Sequence, residues 1–339
     1  MNDGLPSISF IVPTLNSERV LDRCLESIRL QDYPKDRIEV IVVDAGSIDD
    51  TLEIAKRHKV NSILANPLRT GEAGKVVGID ASSNEIVALI DSDNVLEGTE
   101  WLRRMVKPFE NPQICSSEPL YWTYRKGDSL IDRYCALTGI NDPICLFLGN
   151  YDRYSYLSGK WTGLHLLQEI DRGDYLEVLI DKSHVPTMGA NGYLVRREVL
   201  NRIDYHPYYF DIDVAYQLVQ LGYDRIARPK TGIIHLYCDK IGLFYRKQKR
   251  RINDYFYFRR SGVRHYEYDL KSRGYVNYLL CTILVLPLLY QSAKGYTRKQ
   301  DIAWFFHPLA CWITLLAYGY GTARGLLNAR MQDRSKWSQ

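Results

Sequence analysis

The sequence predicts an α/β fold with a mostly parallel sheet, followed by a basic segment and a C-terminal apolar helical hairpin. Strand-like apolar runs alternate with helical patterns from Ser7 to Ile90, and that alternation builds parallel sheets through helical crossovers. The run from Ile86 to Ile90 is apolar throughout, as a strand buried on both faces must be, and it breaks abruptly into Asp91, Ser92 and Asp93. Beyond Lys240 the composition separates into a stretch rich in Lys, Arg and aromatic residues and then two apolar runs.

Taken in order, Ser7 to Val12 reads as a buried strand ending at Pro13, and Asn16 and Ser17 supply cap chemistry for a helix through Val20, Leu21, Leu25 and Ile28. Glu39 to Val43 is a second strand, Asp44 to Ser47 its turn, and Asp49-Asp50-Thr51 an acidic helix start. Ser62 to Ala65 and Ile86 to Ile90 are the third and fourth strands. In open α/β sheets ligands sit beyond the carboxyl ends of the strands, which places Asp91-Ser92-Asp93 at the mouth of a crevice. Two acids there suit a hard divalent cation, Mn2+ or Mg2+, whose remaining positions take water and diphosphate oxygens. An Asx-type turn closing the strand is the other reading of the same triplet.

The first strand-to-helix turn has no Gly-x-Gly-x-x-Gly, so hydride transfer with a dinucleotide is not expected. Gly71 to Lys75 is not a P-loop either, because Arg69 stands where that motif needs Gly and Val76 where it needs Ser or Thr. What remains is a nucleotide site assembled from separate strand ends: Pro13, Thr14, Asn16 and Glu18; Asp44; Gly71 and Lys75; and Asp91 to Asp93.

The ordered segments 10–16 (FIVPTLN), 42–51 (VVDAGSIDDT) and 88–93 (ALIDSD) resemble a family-2 glycosyltransferase of the GT-A, Rossmann-like fold, over roughly residues 7 to 240. The resemblance implies a nucleotide-diphospho-sugar donor (a UDP- or GDP-sugar), a divalent metal and inversion at the anomeric carbon. It has Asp44 face the nucleobase of the donor, and it places Lys75 where many members carry Asn. Residues 187–193 (TMGANGY) are similar to the family's small-residue loop beside the donor sugar, with Gly189, Asn191 and Gly192. Phe210-Asp211-Ile212-Asp213-Val214 is similar to the acidic motif whose final Asp is the general base, here Asp213, with Ile212 in place of the usual Glu. Removing the acceptor's proton as the new bond forms is carboxylate work. Asp211 reads as a helix N-cap or, with Asp213, as the acidic first turn of a helix from Val214 to Leu221. His235 falls where many relatives place a third metal ligand beside Asp91 and Asp93, a lone His being otherwise structural.

Composition bounds the rest. The 339 residues accommodate one large or two small domains, and 46% hydrophobic with 25% charged residues is the mark of a folded chain. With a net charge of +4, no nucleic-acid partner is expected. Seven cysteines, an odd count without a Cys-x-x-Cys pair, argue against disulfides or a zinc site and for a reducing cytoplasm. Because Ser7 to Val12 reads as a strand rather than a signal core, the N-terminus is expected not to be exported.

From Pro119 to Val185 rings are frequent, including Tyr121, Trp122, Tyr151 and Trp161, which serve either sugar stacking or packing. Lys240 to Arg273, with Lys271 among its cations, reads as an interfacial helix or a solvated basic face. Within it Gln248 to Arg251 weakly resembles the Gln-x-x-Arg-Trp motif of processive relatives, which adds Arg251 to the donor residues. Val276 to Tyr290 is apolar but holds Pro287, and Ile302 to Ala323 is uncharged and long enough to span a bilayer, so the two read as a membrane hairpin or as a buried pair. The expected divisions are 1–110 and 111–239 for the donor and acceptor halves, 240–275 for the basic segment, 276–327 for the hairpin and 328–339 for a tail. The resemblance implies the transferase, and the apolar runs with their basic flanks place it at the cytoplasmic face of a membrane, so the expected acceptor is a lipid-linked or other saccharide. Transfer to polyprenyl phosphate and nucleotidyl transfer are the alternatives.

Overall fold

The computed structural model describes residues 4–267 and 272–328. Lys271 and the tail beyond residue 328 lie outside the described residues. The first elements are β1 (Ile8–Thr14), α1 (Leu21–Arg29), β2 (Ile38–Asp44), α2 (Thr51–Arg57), β3 (Ser62–Ala65), α3 (Gly71–Ala81) and β4 (Ile86–Leu89). Then come β5 (Asn94–Leu96), α4 (Trp101–Val106), β6 (Ser116–Ser117), β7 (Tyr121–Trp122), α5 (Leu130–Thr138) and α6 (Pro143–Leu148). They are followed by β8 (Leu166–Asp171), β9 (Tyr175–Ile180), β10 (Tyr193–Arg196), α7 (Arg197–Leu200), α8 (Asp211–Gln220), β11 (Arg225–Pro229) and β12 (Gly232–His235). The helices α9 (Ile241–Arg260), α10 (Arg273–Leu284), α11 (Leu286–Arg298) and α12 (His307–Asn328) complete the described chain.

These elements form two compact units. The first holds residues 4–120 and 165–236; the second holds 121–164 and 237–328. This departs from the expected division at 110 and 239, because 121–164 joins the C-terminal helices. Its reason is apolar: Tyr134, Cys135 and Leu137 of α5 share a core with Phe244, Trp304 and Phe306. Of the aromatic run, Trp122, Tyr151 and Trp161 are buried in packing, whereas Tyr121, Tyr124, Tyr154 and Tyr156 are half-buried.

The first unit is built on a nine-stranded sheet in the order β3-β2-β1-β4-β10-β6-β11-β9-β8. Strands β3, β2, β1 and β4 are mutually parallel, and every residue of β1 is buried, as expected for a strand covered on both faces. Beyond β4 the sheet turns mixed: β10 is antiparallel to β4 and β6, β6 is parallel to β11, and β9 and β8 close the edge antiparallel. The chain winds from β1 out to β3 and returns to β4 on the other side of β1, which makes the carboxyl ends of β1 and β4 a topological switch point. Helix α3 lies hard against this centre, since a Cβ on Gly78 would sit 2.2 Å from Ile11 Cγ2.

In the second unit α9 and α12 pack side by side, with Gly321 facing Ile252 and Gly325 facing Phe256. The segment Ile302–Gly325 is long and apolar enough to cross a membrane, at a mean hydropathy of 1.4, yet half of its most apolar window is buried inside the unit. The other apolar run is not one helix: α10 and α11 meet at Val285, whose φ is 62°, and are bent by 95°.

Candidate active site

The expected strand-end residues gather at the switch point. Asp44, at the end of β2, accepts from Gly46 N and Ser47 N at 2.9 Å each and from Thr14 Oγ1 at 3.2 Å. These bonds join the first two strand ends and fix the carboxylate. Asn16 and Ser17 do not cap α1 as expected, because Val20 holds that position. They knot the loops instead: Asn16 Oδ1 accepts from Ile48 N at 2.9 Å, Ser17 N donates to Thr51 Oγ1 at 2.7 Å, and Ser17 Oγ lies 3.0 Å from Ser92 Oγ. Pro13 packs under α3, where a Cβ on Gly74 would approach its Cβ to 3.0 Å. Glu18 is exposed and accepts from Asp50 N at 3.2 Å, on the turn that Asn16 and Ser17 also engage, and Gly71 opens α3 on the surface.

The Asp91-Ser92-Asp93 turn follows β4. Asn94 Oδ1 accepts from Asp91 N at 3.0 Å, the Asx-type closure that was one reading of this stretch. The same turn brings together two expected metal ligands. β12 pairs with β5 in a register that sets His235 against Asn94, and His235 Nε2 lies 3.4 Å from Asp93 Oδ2, both side chains being buried. A carboxylate and an imidazole in contact are a donor pair fit for a divalent ion. Asp91 does not complete a tight trio with them. Among the described residues, three such groups with donor atoms within 4.8 Å of one another occur at His165, Asp181 and His184.

The loop 187–193 lies against this turn. Asn191 Oδ1 accepts from Asn94 Nδ2 at 3.0 Å, and Gly192 N donates to Leu89 O at 2.9 Å. Gly189, with φ 118°, passes so near Asp211 that a Cβ would sit 3.0 Å from its carbonyl oxygen. Sequence reasoning missed what holds this loop: Gly189 N donates to Glu118 Oε1 at 3.1 Å, and Glu118 is ion-paired at 2.5 Å with the buried Arg228. A charged pair split between Glu118, just after β6, and Arg228 of the neighbouring β11, far apart in sequence, leaves no local pattern.

Helix α8 begins at Asp211, not Val214, and Phe210 rather than Asp211 occupies its N-cap position. The two carboxylates part company there. Asp211 is 36% exposed and accepts from Lys75 Nζ at 2.7 Å, whereas Asp213 is buried at 1% exposure. Burial pushes Asp211 up to about 6, with Asp91 and Glu72 adding to the push against the hold of Lys75. Lys75 is buried, which works against its charge, but Asp211 and Asp91 outweigh that and raise it above the ordinary lysine range. Arg251 belongs to the second unit, where its guanidinium donates to Gln248 Oε1 at 2.8 Å and lies 3.6 Å from Asp142.

The family model of Glycosyl transferase family 2 matches residues 9–124. Among curated proteins, glycosyltransferase AglE of Haloferax volcanii is 30% identical over 146 residues, which are 41% of this chain and 48% of that protein. The GalNAc(5)-diNAcBac-PP-undecaprenol beta-1,3-glucosyltransferase of Campylobacter jejuni is 35% identical over 98 residues, 27% of this chain and 31% of the relative. The chain thus spans less than half the length of either. Among solved structures, a mannosyltransferase of Pyrobaculum calidifontis in complex with GDP-Man and Mn2+ matches at 17% identity and a TM-score of 0.50, over 96% of this chain and 79% of that one. The chain is similar to family-2 glycosyltransferases over its first third and has the GT-A fold.

Proposed function

We propose that this chain is a metal-dependent, inverting glycosyltransferase that moves a sugar from a UDP- or GDP-linked donor to a hydroxyl of a lipid-linked saccharide at the cytoplasmic face of a membrane. The observation that carries the reading is convergence: the ends of β1, β2 and β4, the 187–193 loop and the first turn of α8 bring Asp44, Lys75, Asp93, His235 and Asp211 to one edge of the sheet. The names of the relatives support it, since one acts as a glucosyltransferase on an undecaprenol-linked saccharide and the solved neighbour held GDP-Man with Mn2+.

In this reading the acceptor oxygen attacks the anomeric carbon while the bond to the donor's diphosphate breaks. The hydroxyl proton passes to a carboxylate and the nucleoside diphosphate departs. We assign the base to Asp211 rather than to the expected Asp213, because a base must reach the acceptor and Asp213 is buried at 1% exposure. The ammonium of Lys75 stands ready to meet diphosphate charge. A divalent ion, when bound, would offset the charge of the leaving diphosphate; Asp93 and His235 would hold it, with Asp91 on the same turn assisting.

The test is an assay of released nucleoside diphosphate against a panel of nucleotide sugars, with Asp211→Asn and Asp213→Asn beside the wild type. Asp211→Asn is expected to slow turnover by about 10²- to 10⁴-fold with donor affinity little changed. Near-normal turnover of that variant on a polyprenyl phosphate would move the acceptor to an anion that needs no base. Release of pyrophosphate instead would make the chain a nucleotidyltransferase.

A further inference from the structure

The bent pair α10 and α11 has the form of a wedge rather than of a span. Residues 274–293 carry no charge, and as one straight helix they would reach across a bilayer core of about 30 Å. The chain breaks instead at Val285 and turns by 95°. At the bend the side chains point outward: Leu284 is 63% exposed and Leu286 75%, with Ile283, Leu280 and Leu289 exposed along the two arms. Tyr290 follows at 69%. The far ends of the arms are cationic and exposed, with Arg273 on one and Lys294 and Arg298 on the other. Polarity therefore changes with distance from the bend, apolar at the apex and basic at the base.

We infer that this bend inserts into one leaflet of an anionic lipid bilayer and does not cross it. Each arm, at 12 and 13 residues, is about 18 to 20 Å long. Set symmetrically about the membrane normal, a 95° bend carries its apex about 13 Å below the arm ends, close to the roughly 15 Å of hydrocarbon in a single leaflet. The Val285 backbone at the apex is satisfied within the chain. Val285 N donates to Cys281 O at 3.0 Å, and Val285 O accepts from Leu288 N at 2.9 Å and Leu289 N at 3.1 Å, while Pro287 brings no N–H to satisfy. Arg273 and Arg298 then lie at headgroup level, where anionic lipid attracts them, and Lys294, whose backbone sits about 4 Å deeper, reaches that level with its long side chain. A spanning α12 is disfavoured by its neighbour, because α9 runs beside it with Lys249 set over the Tyr320 ring, and charge of that kind is costly in hydrocarbon. This inference deepens the membrane part of the proposed function and is independent of its chemistry.

Flotation of the full chain, without nucleotide, on vesicles of phosphatidylcholine alone or with phosphatidylglycerol tests it. The chain is expected to float with the anionic vesicles, less so at high salt, and the Leu284→Asp/Leu286→Asp variant to float about tenfold less or worse. Both positions are exposed, so an unchanged circular dichroism spectrum is expected to show that the fold is kept. Tyr290→Asp is an independent second variant, expected to weaken flotation in the same way. On sealed vesicles, Arg273→Cys and Lys294→Cys should both react with an impermeant maleimide from outside, read at each introduced position by peptide mass spectrometry because the chain has seven cysteines of its own. Protection of one of them would mean that the run spans. Flotation of the wild type that the substitutions leave unchanged, or none at all, overturns the inference, as does a lipid-free dimer that the same substitutions dissociate. Donor binding measured separately by calorimetry tells a failure here from a failure of the glycosyltransfer reading.

Discussion

Asp211 and Asp213 stand two positions apart in one helix, and at about 100° per residue their side chains leave the axis roughly 200° apart. One must turn to the cleft and the other to the core. The sequence motif supplied both acids but not which was which, because that depends on where the helix starts, and the start moved from Val214 to Asp211. The environment of Asp211 yields a pH prediction. A base must be deprotonated to act, so with its carboxyl pushed up to about 6, kcat/KM should fall on acidification with an apparent pKa near that value. Lys75 holds Asp211 down and Glu72 pushes it up. Lys75→Met should therefore move the acid limb to higher pH and Glu72→Gln to lower pH. A pH–rate profile that ignores both substitutions would remove Asp211 from the chemistry. The pairing of Asp93 with His235 carries a second prediction: calorimetric affinity for a nucleoside diphosphate should drop on adding chelator, and again in His235→Ala. Equal affinity with and without the ion would end the metal role.

At the scale of elements, β1 and β4 were legible because a buried parallel strand must be apolar along its whole length, and β2 and the partly exposed edge strand β3 from their short apolar runs. The mixed half of the sheet was not, since β6 has two residues and no periodicity, and β10 pairs with β4 across a hundred residues of chain. The packing role of the α3 glycines was not legible either. Nothing local marks Gly74 and Gly78, which bring α3 down onto β1 and β2. Gly78→Ala would place a methyl 2.2 Å from Ile11 Cγ2 and 3.1 Å from Val43 Cγ2, and the helix must lift or the strand give. Overpacking of this kind costs roughly 1–3 kcal/mol, readable as a lowered urea midpoint. The Glu118 and Arg228 pair is a harsher case, because Glu118→Gln leaves a fully buried guanidinium without its counter-charge and Gly189 N with a weaker acceptor. A loss of about 3–5 kcal/mol is expected, and the 187–193 loop should loosen with it.

The whole molecule departs most from what its sequence implies, and the departure can be tested by cutting the chain. Composition changes sharply at Lys240, so the natural reading ends a catalytic domain at residue 239 and treats the rest of the chain as an attachment. The packing assigns 121–164 to the C-terminal unit instead. Tyr134 stacks edge-on against Phe306 and its hydroxyl lies 2.8 Å from His307 Nδ1, Arg133 pairs with Asp301 at 3.0 Å, and Ser129 Oγ donates to Cys238 O at 2.8 Å. None of these partners survives truncation at 239 except Cys238. A chain of residues 1–239 would expose Tyr134, Leu137 and Ile131 to water, an apolar surface with nothing to cover it. It should aggregate, whereas the full chain in lipid or mild detergent should run as a single species by size exclusion. A soluble, monodisperse 1–239 fragment that still bound a nucleoside diphosphate would show that 121–164 can fold without the C-terminal helices, and that the boundary implied by composition was the physical one.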